Sequence, residues 1–274
     1  MAFRNNRCSM RSAFHPQEKR KIDVKAYIRE FGHRAPNKRM PDNRPRPRCQ
    51  FCNAQMHVSA EAIAINRTPH FAHSPNSGFC PSKAPAGEPF VNLTPRDPDV
   101  AAGQELRRRF RQNWKLHYDQ LRRMVPCLSV NEFLTLLEFA GQKRAWEYRG
   151  MAEEDIPYVF VVLADYPPRT GILKNGKPLR KFWFRFWYQA TIRNIEQLWI
   201  DGPNDAVLFR VSLLPPSREN TFPNIERDVV TDPYPISTPR DFLLRPVPEV
   251  KPFVVEQVER WFANHPEFGD PRQA

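Results

Sequence analysis

The chain has 274 residues, enough for one large domain or for a domain with a small appendage. It carries 42 Lys and Arg against 30 Asp and Glu, a net charge of +12, and its 41% apolar and 12% aromatic content excludes wholesale disorder. No apolar run approaches the ~18 residues of a membrane span, so a membrane is not among the expected partners.

The first residues are basic and hold no apolar stretch of the kind a secretory leader needs. Together with only five cysteines, this predicts a cytoplasmic protein without a disulfide scaffold. Residues 1–48 contain 14 Lys and Arg and only 4 Asp and Glu, so most of the net charge lies there. They read as a basic arm and linker suited to phosphates, with Arg44, Arg46 and Arg48 as contacts. Within the arm, residues 21–28 alternate apolar and charged side chains as a short edge strand would, and the Pro-, Arg- and Asn-rich residues 34–48 read as an extended linker.

Residues 49–84 form the next unit. Cys49 and Cys52 stand in a C-x2-C pair, His70 and His73 follow in the string His-Phe-Ala-His, and Cys80 trails them. Two thiolates on one tight knuckle can grip an ion from one side, and a closed set of four Cys and His ligands defines a structural zinc site. Zinc binding would also supply the folding free energy of a piece poor in large apolar side chains. Five candidates compete for four places: Cys49, Cys52 and Cys80 with one histidine, or Cys49 and Cys52 with both histidines. The three-thiolate set is preferred because it leaves no cysteine unexplained. On a strand, His70 and His73 would point to opposite faces, so one of them is expected to stay off the metal. His57, between the two groups, reads as a surface side chain.

The combination of C-x2-C (Cys49, Cys52), the string His70, Phe71, Ala72, His73 and the trailing Cys80 resembles the zinc-binding segment of the competence protein CoiA-like family. The resemblance covers residues 49–80 only. It implies a bacterial or mobile-element protein concerned with DNA rather than RNA, and in that family the segment accompanies a restriction-nuclease-like domain. Such a nuclease core needs an Asp and then a Glu-x-Lys at a strand end. The one Glu-x-Lys here, Glu249 to Lys251, lies between Pro248 and Pro252, and Glu105, Asp119, Glu147 and Asp165 have no supporting spacing. No catalytic residue is therefore assigned, and a divergent nuclease stands as the alternative function.

An α+β domain is expected over residues 85–214, after a proline-rich lead-in at 81–98. Residues 101–125 read as a helix with Leu106, Phe110, Trp114, Leu121 and Val125 on one face. Its other face offers Arg107, Arg108, Arg111 and Lys115 to phosphates. Ser129 with Glu132 forms a capping box for a second helix. His117 reads as a helix-surface side chain and Cys127 as a buried thiol.

Residues 158–165 form a continuous apolar run, expected as a central strand, and the Asn175-Gly176 pair marks a turn. Residues 181–190 and 206–214 read as further strands of a mostly antiparallel sheet. The first places Lys181 and Arg185 among aromatics, either as a platform for bases or as an interface for a protein partner, unless the sheet is simply buried on both sides. All six tryptophans lie beyond residue 101, so the main core is placed there. Residues 215–248, with eight prolines, read as a surface loop, and residues 249–274 as a C-terminal helix packed through Val254, Val258 and Trp261.

Overall fold

A computed structural model describes residues 10–34, 42–61, 68–74, 80, 94–172, 176, 178–188, 195–198, 207–215, 223 and 229–269. Most of the turn expected at residues 174–177 and most of the segment 81–98 lie outside the described residues. The architecture is α+β, with every strand pairing antiparallel.

Residues 10–34 are not an extended arm. Strands β1 (Ser12–Phe14) and β2 (Lys21–Asp23) form a hairpin, and helix α1 (Val24–Phe31) follows directly. The expected strand over 21–28 stops at Asp23 because that carboxylate accepts the Ala26 N–H at 2.8 Å and caps the helix. Val24 and Tyr27, three apart, then share the buried face. Met10 and Phe71 exchange both backbone hydrogen bonds, as do Phe14 and Arg48. Buried Met10, Ala13, Ile22, Val24 and Tyr27 consequently share one core with Cys49, Phe51, Cys52, Met56, Val58, Phe71 and Cys80.

That core also contains strands β3 (Met56–Ser59) and β4 (His70–His73), which pair with Met56 opposite His73 and Ser59 opposite His70.

The body begins with helix α2 (Val100–Met124), which buries Leu106, Phe110, Trp114 and Leu121 as the period requires. Helix α3 (Val130–Gln142) opens on the Ser129–Glu132 capping box. The run expected as a central strand is instead helix α4 (Ile156–Phe160), continued as a 3-10 turn at Val161–Leu163. Pro157 stands in the first turn of α4, where a missing N–H costs nothing, and the acidic residues 153–155 precede it. Residues 156–162 are buried all round, the case in which periodicity cannot separate helix from strand.

Strands β5 (Arg169–Ile172) and β6 (Pro178–Arg180) pair with each other. Strands β7 (Trp183–Tyr188), β8 (Leu208–Leu213) and β9 (Val229–Ile236) form a sheet in that order. The proline-rich stretch 215–248 is thus no simple loop. Pro233 and Pro235 lie in β9 at the sheet edge, where a residue without an N–H is tolerated. Phe242, in the 3-10 turn Asp241–Leu244, reaches the core. Helix α5 (Pro252–Ala263) packs on the body through Val254, Val258 and Trp261.

The central sheet is covered on both faces. Phe184, Phe186, Tyr188 and Leu208 belong to the core of the helical body. Trp187, Val211 and Leu213 belong to the core of the cysteine-bearing module, with Trp183 and Phe209 packed beside them. Strand alternation alone sorts these side chains between two cores.

Candidate metal centre

The knuckle is built by local geometry. The Asn53 N–H donates to the Cys49 carbonyl and the Cys49 N–H to the Ala54 carbonyl, both at 2.8 Å, closing a turn around residues 49–54. Asn53 takes a left-handed φ of 57°, a conformation that Asn tolerates better than most residues. The Phe51 N–H points at Cys49 Sγ at 3.3 Å. The turn therefore presents the two sulfurs together and polarises one of them.

The β3–β4 register decides between the histidines. His73 ends β4 opposite Met56, beside the knuckle, and its Nε2 lies 3.3 Å from Cys52 Sγ. His70 sits at the other end, opposite Ser59, with Nδ1 3.0 Å from the Thr68 carbonyl. Cys80 Sγ lies 3.7 Å from Cys49 Sγ. Ligand atoms of Cys49, Cys52, His73 and Cys80 all fall within 4.8 Å of one another, and the three thiols are buried. This Cys3His quartet can hold one metal ion; His70 is not in it. Burial, and then the neighbouring thiols, push the Cys49 thiol pKa well above its usual range. Thiols packed in that way need a cation before they ionise.

Met10 is a neighbour that spacing did not disclose: its Sδ lies 3.8 Å from Cys49 Sγ. His57, on β3, is half-buried, and desolvation lowers its pKa. A second group, His15 with Glu18 and Glu30, is an ion-pair cluster. His15 Nδ1 faces the N–H groups of Gln17 and Glu18, its Nε2 pairs with Glu30 at 2.7 Å, and Arg20 binds both carboxylates.

The expected phosphate contacts fare unevenly. Arg44 is sunk between Asp42 and Glu61, at 2.8–2.9 Å from each, and does not face solvent. Its hydrogen bond draws the Asp42 pKa down to about 2. Arg46 is half-buried and donates to the Asp42 carbonyl at 3.1 Å. Arg107 is buried against Glu147 and the Trp146 ring, and Arg108 is chelated by Glu105. Arg111 lies over Phe262 and Lys115 over Trp114, both half-buried. Arg185 is buried and binds Asp165 through two hydrogen bonds of 2.8 Å. Arg48 and Lys181 are exposed.

The aromatic strand thus offers neither a base platform nor a partner surface, because Trp187 is fully buried and the cysteine-bearing module covers its face. His117, expected at the surface, is fully buried with Nε2 3.1 Å from Glu153, while Cys127 is partly exposed. Four of the carboxylates weighed for a nuclease site are held by arginines: Glu105 by Arg108, Asp119 by Arg123, Glu147 by Arg144 and Asp165 by Arg185.

No family model, no curated protein and no solved structure matches this chain. Among the described residues, no helix is long and apolar enough to cross a membrane.

Proposed function

We propose that the chain is a DNA-binding protein whose N-terminal module is built around one structural zinc ion. The observation that carries the metal half is the shape of the Cys3His quartet. Zinc–sulfur bonds of ~2.3 Å at the tetrahedral angle put two thiolates about 3.8 Å apart and an imidazole nitrogen about 3.6 Å from a sulfur. The corresponding separations here are 3.7 Å and 3.3 Å. Three thiolates and one imidazole, with no place left for substrate, suit a structural rather than a catalytic ion. The resemblance of residues 49–80 to the competence protein CoiA-like zinc segment favours DNA over RNA and a bacterial setting.

The surface of the same module supports the nucleic-acid half. Arg11, Lys19, Lys25, Arg29 and Arg48 are exposed and have no acidic partner among the described residues. Cations that no acid neutralises gain most from phosphate, because each contact releases condensed counterions. Fluorescence anisotropy of labelled duplex DNA over a salt series tests this reading. Affinity that falls linearly with log salt, without hydrolysis in Mg²⁺, is the expected result. Mg²⁺-dependent cleavage would favour the divergent nuclease instead.

A further inference from the structure

A cleft of about 650 Å³ opens on the body between α2, the start of α3, the β5–β6 hairpin and the start of α5. Its volume is that of a small-ligand site. Arg122, Arg169 and Lys251 line it, with Glu249 as the one acid of the lining. None of the three cations has an acidic partner among the described residues. Most other described arginines of the body are matched, among them Arg108 and Arg109 with Glu105, Arg123 with Asp119, Arg144 with Glu147, Arg149 with Asp97, Arg240 with Asp155 and Arg260 with Glu256; Arg111 and Arg210, which have no acidic partner among the described residues, lie against aromatic rings. Three positive charges against the single carboxylate of Glu249 leave the concavity net positive, a field that attracts an anion.

Two of the guanidinium groups are already fixed. Arg169 Nη1 donates to the Cys127 carbonyl at 2.6 Å, and Arg122 lies over the Tyr118 ring at 5.6 Å. A planar fork held by one bond or one ring keeps its remaining N–H donors for a phosphate. The cleft is not only cationic. Phe253, 54% exposed at the start of α5, forms part of its wall together with Tyr118, Val250 and Val254. An exposed ring beside unmatched cations fits a ligand that carries an aromatic face and a phosphate together.

We infer that this cleft binds a nucleoside monophosphate, its phosphate on Arg122, Arg169 and Lys251 and its base against Phe253. The nucleotide is either free or the phosphorylated end of a strand. The site lies on the body, apart from the module cations invoked for duplex DNA, and does not rest on that reading.

Calorimetry on the full zinc-loaded chain tests it, with the nucleoside 5′-monophosphates, the matching nucleosides and inorganic phosphate as probes. Saturable binding of a monophosphate, tighter than either half alone, is expected. Arg122→Gln and Lys251→Gln should each weaken it about tenfold or more, as removal of a charge-assisted hydrogen bond does. Phe253→Ala should weaken it about fivefold or more. These three side chains are exposed, and unchanged circular dichroism will verify that the variants fold. Competition by a 5′-phosphorylated single strand but not by its 5′-hydroxyl counterpart identifies the strand end as a ligand; no competition by either identifies the free nucleotide. Absence of saturable binding at millimolar nucleotide overturns the inference. So does binding that phosphate alone matches, or that the cleft variants leave unchanged. Duplex affinity measured in parallel separates this result from the DNA-binding reading.

Discussion

The indole Nε1 of Trp187 donates to the main-chain carbonyl of Phe51 at 2.6 Å, across 136 residues of chain. Phe51 lies inside the C-x2-C knuckle and Trp187 on the central sheet, where it stacks on Phe209 with ring centroids 6.1 Å apart. The C-x2-C turn is therefore bolted to the body by a buried hydrogen bond and an aromatic stack.

Trp187→Phe should preserve most of the packing while leaving the buried Phe51 carbonyl without its donor. A loss of about 1–3 kcal/mol in urea unfolding is expected. With zinc in the proposed site, the same hydrogen bond would couple the sheet to the ion: chelation should shift tryptophan emission to the red, although none of the six tryptophans belongs to residues 49–80. Emission unchanged by a chelator that removes the ion would break this link.

Metal content should separate the two histidines. His73→Ala should lower zinc affinity strongly, whereas His70→Ala should leave one equivalent bound. Cys49→Ala and Cys80→Ala should behave like His73→Ala in atomic emission measurements. Retention of a full equivalent by His73→Ala, with loss in His70→Ala, would reverse the assignment.

The Arg185–Asp165 pair predicts a structural phenotype. Both side chains are almost fully buried, so Asp165→Ala strands a guanidinium and should cost about 3–5 kcal/mol. Because Arg185 is not at the surface, its removal should lower thermal stability without changing the salt dependence of DNA binding.

Asp42 gives a pH signature. Its folded pKa of about 2 lies below the ordinary 3.8, so the carboxylate stabilises the fold above pH 3.8, and that contribution is lost as pH falls towards 2. Asp42→Asn should be less stable than the parent near neutral pH, with the gap closing across that acid window. A gap that widens with acid would contradict the Arg44 pairing.

Changing Arg11, Lys19, Lys25, Arg29 and Arg48 to Gln together should make the salt dependence of duplex binding shallower by about 0.9 for each phosphate that is no longer neutralised. Deleting residues 1–48 is not the equivalent experiment, because it also removes Met10, Ala13, Ile22 and Tyr27 from the module core.

What the sequence disclosed follows the range of each signal. The ligand types, the α2 stripe from Leu106 to Leu121 and the Ser129 box are local patterns, and the structure keeps them. The strand argument excluded one histidine but not which one; that needed the pairing of Met56 with His73. Residues 156–162 misled because uniform burial erases the period. Residues 10–34 misled for a different reason. Their charge dominates composition, while Met10, Ala13, Ile22 and Tyr27 are too few and too spread out to announce a core without their partners on β4 and the knuckle. Likewise Arg44, Arg107 and Arg185 carry charge that composition counts as surface, yet each is cancelled by an acid brought in by folding.

The covering of the central sheet by the cysteine-bearing module also sets an order of events during synthesis. Phe51 leaves the ribosome 136 residues before Trp187, and the buried β8 residues that close over the module, Val211 and Leu213, come later still. Until then the nascent module carries an uncovered apolar face, and pairings so distant in sequence are slow to form. An ion captured early would hold the knuckle in shape through that interval, so metal supply would govern the yield of folded chains as well as their final stability.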